Sequence, residues 1–175
     1  EVLGLYVGQR VACAGNKYAF HAEIIRAPRN LIVPLPDGLT FKAASTVTLG
    51  AIALQGVRRL TPTLGETFAV IGLGILGQLT AQILRANGCK VIGLDTDANR
   101  SQLAVDGGMD CAIDPGDANA VKVAMRLTGG IGTDGVIVTA ATPSDEVIST
   151  AFQMCRRKGR VVLVGDVGLD LQRAD

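Results

Sequence analysis

The sequence has no tryptophan, two tyrosines, four phenylalanines and one histidine in 175 residues. Modules that bind nucleic acid by stacking bases on aromatic faces need more than the 3% of aromatic residues present here. An excess of one charge is also lacking. The net charge is +1, with seven Lys/Arg against three Asp/Glu in residues 1–60 and ten against thirteen in the remainder. Neither part offers the basic surface that a phosphate backbone requires, so no nucleic-acid partner is expected. No apolar run reaches the roughly eighteen residues of a membrane span, and no secretory signal is visible. The expectation is therefore no membrane partner and a cytoplasmic location. Cys13, Cys89, Cys111 and Cys155 are widely separated and form no C-x-x-C pair, which suits reduced thiols. With a single histidine, an all-protein zinc cage is poorly supported. The chain opens on Glu1-Val-Leu-Gly without a methionine and stops on a polar tail ending Arg173-Ala-Asp175, so a piece of a longer protein is expected.

Against these absences stand 48% hydrophobic residues and 22 glycines, enough for one domain of ordinary size and a fragment of another. The informative stretch is Phe68 to Asp95. Four apolar or small residues (Phe68, Ala69, Val70, Ile71) run uninterrupted into Gly72, as in a parallel strand buried on both faces. Gly72-Leu-Gly74-Ile-Leu-Gly77 has the G-x-G-x-x-G spacing of a dinucleotide fingerprint. Gly72 lets the chain turn off the strand, Gly74 lets a pyrophosphate approach the backbone, and Gly77 lets the next helix pack closely on the sheet. A helix from Gln78 to Asn87 follows, stopped by Asn87-Gly88. At its N-terminus the amides of Ile75 and Leu76 suit phosphate oxygens. A second strand, Lys90 to Leu94, delivers Asp95 with Thr96 beside it, eighteen positions beyond Gly77. An acidic side chain there accepts both hydroxyls of an adenosine ribose and repels a 2′-phosphate, favouring NAD over NADP. A degenerate, empty dinucleotide fold is the competing reading.

Residues 1–36 look like β material: Gly8 to Cys13, Tyr18 to Ile25 and Leu31 to Val33. Thirty-odd residues cannot close a sheet with its own core. Pro34-Leu-Pro36-Asp-Gly38 marks a change of domain, and Thr40 to Arg59 reads as one or two helices broken near Gly50 and Gly56. Beyond Asp95 the alternation continues. Asp97 caps a helix from Ala98 to Asp106, Cys111 to Ile113 is a third strand, and a helix starts at Asp114-Pro-Gly-Asp117 and runs to Leu127. A loop over Gly129 to Gly135 leads into a fourth strand, Val136 to Ala140. Thr142-Pro-Ser-Asp145 starts a helix, with proline at its first position, that ends in Arg156-Arg-Lys158-Gly159. The cations of that run suit a helix C-terminus. Arg160 to Gly165 is the fifth strand. The fold expected is α/β, a doubly wound parallel sheet of order 3-2-1-4-5.

V-G-Q-R-V at 7–11, Tyr18-Ala, His21-Ala-Glu, P-L-P-D-G at 34–38, A-A at 43–44, L-G-A at 49–51 and L-G-E-T-F-A-V-I-G-L-G at 64–74 follow one another in a familiar order. Together they resemble the medium-chain dehydrogenase/reductases, the alcohol dehydrogenase and quinone reductase superfamily, over nearly the whole chain. The resemblance implies that residues 1–38 are the end of a GroES-like catalytic domain and its linker. Residues 39–175 would then be an NAD(P)-binding Rossmann domain, truncated at its C-terminus so that its last strand is missing. It also implies that Thr139 and Ala140 line the cofactor, and that Val164, Gly165 and Asp166 lie near the nicotinamide. Gly165 has a plainer reading as a strand-end turn. Arg100 either reaches the adenosine ribose, as a basic residue does in NAD-dependent relatives, or faces solvent.

No zinc is expected. The cysteine-rich lobe that holds structural zinc in the best-known relatives would follow Cys13, where the chain reads Ala-Gly-Asn-Lys-Tyr18, and the position of a catalytic-zinc cysteine is Thr48. His21 reads as structural, and no catalytic residue is assigned. A narrower resemblance, on residues 48–58, 69–79 and 164–171, is to bacterial two-part oxidoreductases with a fused second, sugar-oxidoreductase-like unit. The function expected is hydride transfer between NAD(H) and a small-molecule alcohol or carbonyl compound, sugar-related and zinc-independent. The alternatives are a non-catalytic dinucleotide-sensing module and an NADPH-dependent quinone or enone reductase. Homo-oligomers are common in the superfamily.

Overall fold

Val11–Cys13 (β1) pairs antiparallel with Ile32–Pro34 (β2), and the Ala14 amide donates to the Leu31 carbonyl at 2.9 Å where the intervening loop closes. This comes from the computed structural model of the chain, which describes residues 4–116 and 119–169. Asp117 and the Asp170-Leu171 end of the 164–171 run lie outside the described residues. The strand expected over Tyr18 to Ile25 does not form. The Tyr18 and Ala19 amides both donate to the Gly15 carbonyl (3.2 and 3.0 Å), so the segment satisfies its backbone locally in turns. Phe41–Ala44 (α1) is capped by the Thr40 hydroxyl, which accepts from the Ala43 amide at 3.2 Å. The next helix, Val47–Leu60 (α2), passes through Gly50 and Gly56 without interruption. The break falls instead at Ser45-Thr46, whose hydroxyls donate back to the carbonyls of Lys42 (2.8 Å) and Ala43 (2.9 Å). The chain divides into two units, Glu1–Ala51 and Ile52–Asp175.

The second unit is built on five strands that form one parallel sheet. Thr67–Ile71 (β3), Lys90–Leu94 (β4), Cys111–Ile113 (β5), Thr133–Val138 (β6) and Cys155–Leu163 (β7) lie side by side as β5-β4-β3-β6-β7. Numbered by appearance, that is the expected order 3-2-1-4-5, the doubly wound arrangement of a Rossmann-type sheet. Between the strands run Ile75–Ala86 (α3), Ala98–Asp106 (α4), Ala120–Leu127 (α5) and Glu146–Met154 (α6). Strand alternation sorts the core into two layers. Phe68 and Val70 face one way with Val57 and Leu60 of α2, Leu84 of α3 and Ala104 of α4. Ala69 and Ile71 face the other way with Ala124 of α5 and Ala151 and Met154 of α6. Each fully buried Val, Leu, Ile or Phe contributes about 1.5–3 kcal/mol. Gly56 lets α2 pack tightly here: a Cβ there would stand 2.7 Å from Val164 Cγ2 and 2.8 Å from Ile137 Cδ1.

Several boundaries differ from expectation for local reasons. α3 starts at Ile75, three residues early, because Gly74 itself serves as N-cap. α5 starts at Ala120, where the Asn119 side chain accepts from the Lys122 amide at 3.0 Å, while Asp114 Oδ1 closes a separate turn on the Gly116 amide at 2.8 Å. β6 begins at Thr133 and ends at Val138, after which the Thr139 and Ala140 amides both turn to the Ile71 carbonyl (2.8 and 3.1 Å). α6 does not begin at Thr142-Pro143. The Thr142 amide donates to the Asp166 carbonyl at 2.9 Å and the Gly168 amide to the Thr142 carbonyl at 3.0 Å, so Thr142 is held in an extended bridge with Val167.

The Arg156-Arg-Lys158 run is likewise not a helix end. α6 stops at Met154 and the cations sit in β7, in a bulge where Thr133 pairs with Cys155 and Gly135 with Arg160, and where Lys158 has φ 61°. Arg156 Nε donates to Asp134 Oδ1 at 2.7 Å, the Thr67 amide donates to Asp134 Oδ2 at 2.7 Å, and Arg160 pairs with Glu66. Burial pushes the Asp134 carboxyl up, but the Thr67 amide, the Arg156 guanidinium and the Arg160 charge outweigh it and hold the group below its ordinary 3.8. A lowered folded value means that the stabilisation is present above the unfolded value and disappears as pH falls below about 3.8. Asp134→Asn should therefore cost about 2 kcal/mol in denaturant unfolding at pH 7, and the gap to wild type should close as unfolding is repeated toward pH 3.

Candidate functional site

The carboxyl ends of β3, β4 and β6 open into a cleft of about 680 Å³. It lies where sheet order reverses, between β3 and β6, the place at which open α/β sheets take ligands. Its rim is the glycine turn. Gly72, at φ +92°, turns the chain off β3, and a Cβ there would sit 2.6 Å from the Ala140 amide nitrogen. A Cβ on Gly77 would clash with the Gly72 carbonyl oxygen, to which the Thr139 hydroxyl donates at 2.6 Å. Gly74 differs from both: a Cβ would meet nothing within 4 Å. The first α3 hydrogen bond runs from the Gln78 amide to the Gly74 carbonyl at 2.9 Å, so the amides of Ile75, Leu76 and Gly77 have no partner within the helix. Open space in front of free amides at the positive end of a helix dipole suits an anion.

Asp95 stands across the cleft with only 9% of its surface exposed. Its Oδ2 accepts from the Leu73 amide at 2.6 Å and its Oδ1 from the Asp97 amide at 2.8 Å, fixing the carboxylate between the glycine turn and the start of α4. Asp97 caps α4, accepting from the Asn99 amide at 2.8 Å and the Arg100 amide at 3.3 Å. The Arg100 guanidinium, more than half exposed, lies 3.8 Å from Asp95 and 3.6 Å from Asp97. Each oxygen of Asp95 retains a lone pair for a hydroxyl.

Gly72, Gly74, Asp95, Thr96, Arg100, Thr139 and Ala140 all line the cleft. Ile75, Leu76 and Gly77, the first turn of α3 following Gly74, are not among the lining residues. Val164, Gly165 and Asp166 are not among the lining residues. The Val164 and Gly165 amides both donate to the Val138 carbonyl (2.9 and 3.0 Å), and a Cβ on Gly165 would clash with the Ala140 carbonyl oxygen. Gly165 thus sits in a bend just beyond β7, where the chain passes close to the Ala140 carbonyl. His21 and Thr48 belong to the first unit. Sequence reasoning passed over Gln78, whose Nε2 donates to the Leu73 carbonyl (3.0 Å) and the Arg100 carbonyl (2.8 Å), bracing the turn against α4. A lone amide in the first turn of an apolar helix was the available signal. Pro115, Ala141, Thr142, Glu146, Val147 and Thr150 also line the cleft and were not anticipated. Among the described residues no three His, Cys, Asp or Glu side chains are grouped as a metal site needs, and no helix is long and apolar enough to cross a membrane.

Residues 76–172 match the family described as zinc-binding dehydrogenase. The chain belongs to that family. It is 30% identical over 165 residues to an alcohol dehydrogenase of Geobacillus stearothermophilus, covering 90% of this chain and 48% of that protein. It is 34% identical over 119 residues to the D-guloside 3-dehydrogenase of Escherichia coli (strain K12), covering 67% of this chain and 34% of the relative. Among solved structures, a mycobacterial protein complexed with NADPH superposes with a TM-score of 0.84 at 26% identity, over 98% of this chain and 53% of that one. The chain thus spans about half the length, or less, of the curated relatives it matches. As a member of the zinc-binding dehydrogenases it is a medium-chain dehydrogenase/reductase, and its relatives are oxidoreductases.

Gly77 and Gly74 should separate by experiment. Gly77→Ala should unfold at a clearly lower temperature than wild type in a thermal melt. Gly74→Ala, whose φ of −63° suits alanine, should melt within about 2 °C of wild type yet bind a nicotinamide dinucleotide about tenfold more weakly.

Proposed function

We propose that this chain is the nucleotide-binding part of an NAD(H)-dependent oxidoreductase that moves hydride between the coenzyme and an alcohol or carbonyl compound. The observation that carries the reading is Asp95: a carboxylate fixed by two backbone amides across a cleft from the open amides of α3. The Ile75 and Leu76 amides would hold the pyrophosphate, with Gly74 leaving room for it. Asp95 would accept the ribose hydroxyls and Arg100, beside it, would steady that carboxylate. Thr139 and Ala140 would form the wall toward the nicotinamide, with Val164, Gly165 and Asp166 behind them. When bound, the nicotinamide supplies or takes up the hydride. This chain's residues contribute binding, orientation and exclusion of water, and no proton transfer is assigned to them.

The likeness to D-guloside 3-dehydrogenase supports a sugar-related substrate. Threonine at position 48, a poor zinc ligand where the family resemblance places a catalytic-zinc cysteine, supports a mechanism without zinc. A second reading, an NADPH-dependent reductase, is favoured by the NADPH complex of the mycobacterial neighbour. The two differ at the 2′ position, where the Asp95 carboxylate would face either hydroxyls or a phosphate dianion. Titration of the full chain with each reduced coenzyme, followed by fluorescence or calorimetry, should show NADH binding at least about tenfold tighter than NADPH, a gap of about 1.4 kcal/mol. Asp95→Asn should narrow that ratio. Tighter NADPH binding by wild type would install the second reading.

A further inference from the structure

We infer that Gln78 is a positioning residue for the pyrophosphate: it clamps Gly74 from both sides and so fixes the direction in which α3 presents its open amides. The inference rests on the NAD(H) reading above and adds to it a residue outside the cleft, since Gln78 is not among the lining residues. Gly74 poses a problem that its neighbours do not. The site needs a residue without a side chain there, because open space in front of the α3 amides is what admits an anion. The same lack of a Cβ leaves the backbone free to take conformations closed to other residues. A turn free to wander would present its amides in many directions, and a ligand would have to order it on binding.

The peptides around Gly74 are held one by one. The peptide between Gly72 and Leu73 is fixed at both ends, its carbonyl by the Thr139 hydroxyl (2.6 Å) and its amide by Asp95 Oδ2 (2.6 Å). In the next peptide, between Leu73 and Gly74, the carbonyl accepts from Gln78 Nε2 at 3.0 Å. In the one after, between Gly74 and Ile75, the carbonyl accepts from the Gln78 main-chain amide at 2.9 Å. One residue thus grips the peptide before Gly74 with its side chain and the peptide after it with its backbone. Peptides are planar, so holding both carbonyls sets φ and ψ of the glycine between them, here −63° and −170°. The grip is itself anchored, because the same nitrogen spends its second donor on the Arg100 carbonyl of α4 at 2.8 Å. The plainer account, that Gln78 only fastens α3 to α4, predicts a loss of stability and no special effect on ligands that carry phosphate.

The test compares wild type with two variants. Gln78→Met keeps the length of the side chain and removes both donors; Gln78→Asn keeps the amide but is one methylene too short to span both carbonyls. Dissociation constants of NADH and NADPH would be measured on the full chain by fluorescence titration, and that of adenosine, which lacks the phosphates, by calorimetry. In both variants the two coenzymes should bind about five- to tenfold more weakly, with their ratio unchanged because they share the pyrophosphate. Adenosine should bind as it does to wild type. Without ligand, the NMR order parameter of the Gly74 amide should fall in both variants. Unchanged coenzyme affinity, or an order parameter as high as in wild type, would overturn the clamp. So would an equal loss for adenosine, or a loss confined to one coenzyme, which would place the action of Gln78 at Arg100 instead. Each of those results leaves the NAD(H) reading standing, whereas failure of wild type to bind either coenzyme would overturn both.

Discussion

The hydrogen bond from the Leu73 amide to Asp95 connects the ends of two neighbouring strands through one buried carboxylate. A buried charge is tolerated only when its oxygens are satisfied, and here the second oxygen takes the Asp97 amide. The consequence is geometric. The turn after β3 and the entry to α4 are held at a set separation, with Gln78 bracing the same two segments from α3. The open amides of α3 thereby face a fixed acid rather than a mobile one. A site whose polar groups are already locked loses little further freedom when it takes a ligand.

At the other end of the sheet a different set of charges has a mechanical task. Asp134, Arg156, Glu66 and Arg160 tie β6, the bulged start of β7 and the segment before β3. No cleft residue belongs to that group. The amino ends of the strands thus carry an ion-pair network, and the carboxyl ends, where open α/β sheets take ligands, carry the open amides and the Asp95 carboxylate.

What could be read from the residues follows the reach of the forces involved. β4, α4 and β5 fall where the sequence places them, because an apolar run, a capping aspartate and a glycine pair are local signals. The glycine turn was legible for the same reason, as were the cleft positions Asp95, Thr96 and Arg100. Thr142-Pro143 carries a convincing helix-start pattern, and the pairing of Thr142 with Val167, twenty-five positions away, overrides it. Tyr18 to Ile25 has strand-like composition, yet turn bonds to Gly15 claim its first amides. The role of Gln78 and the α6 wall of the cleft depend on which helix faces which strand end, and sequence periodicity does not encode that.

Ala140 is enclosed from two directions. Gly72 of the strand-leaving turn and Gly165 beyond β7 both come so near its peptide that neither position has room for a side chain. The floor of the cleft at Ala140 is thus main chain pressed between main chain, with no rotamer to swing aside. Such a floor cannot yield by a side-chain rotation. A ligand too bulky for the space above Ala140 would find no side chain there able to make way.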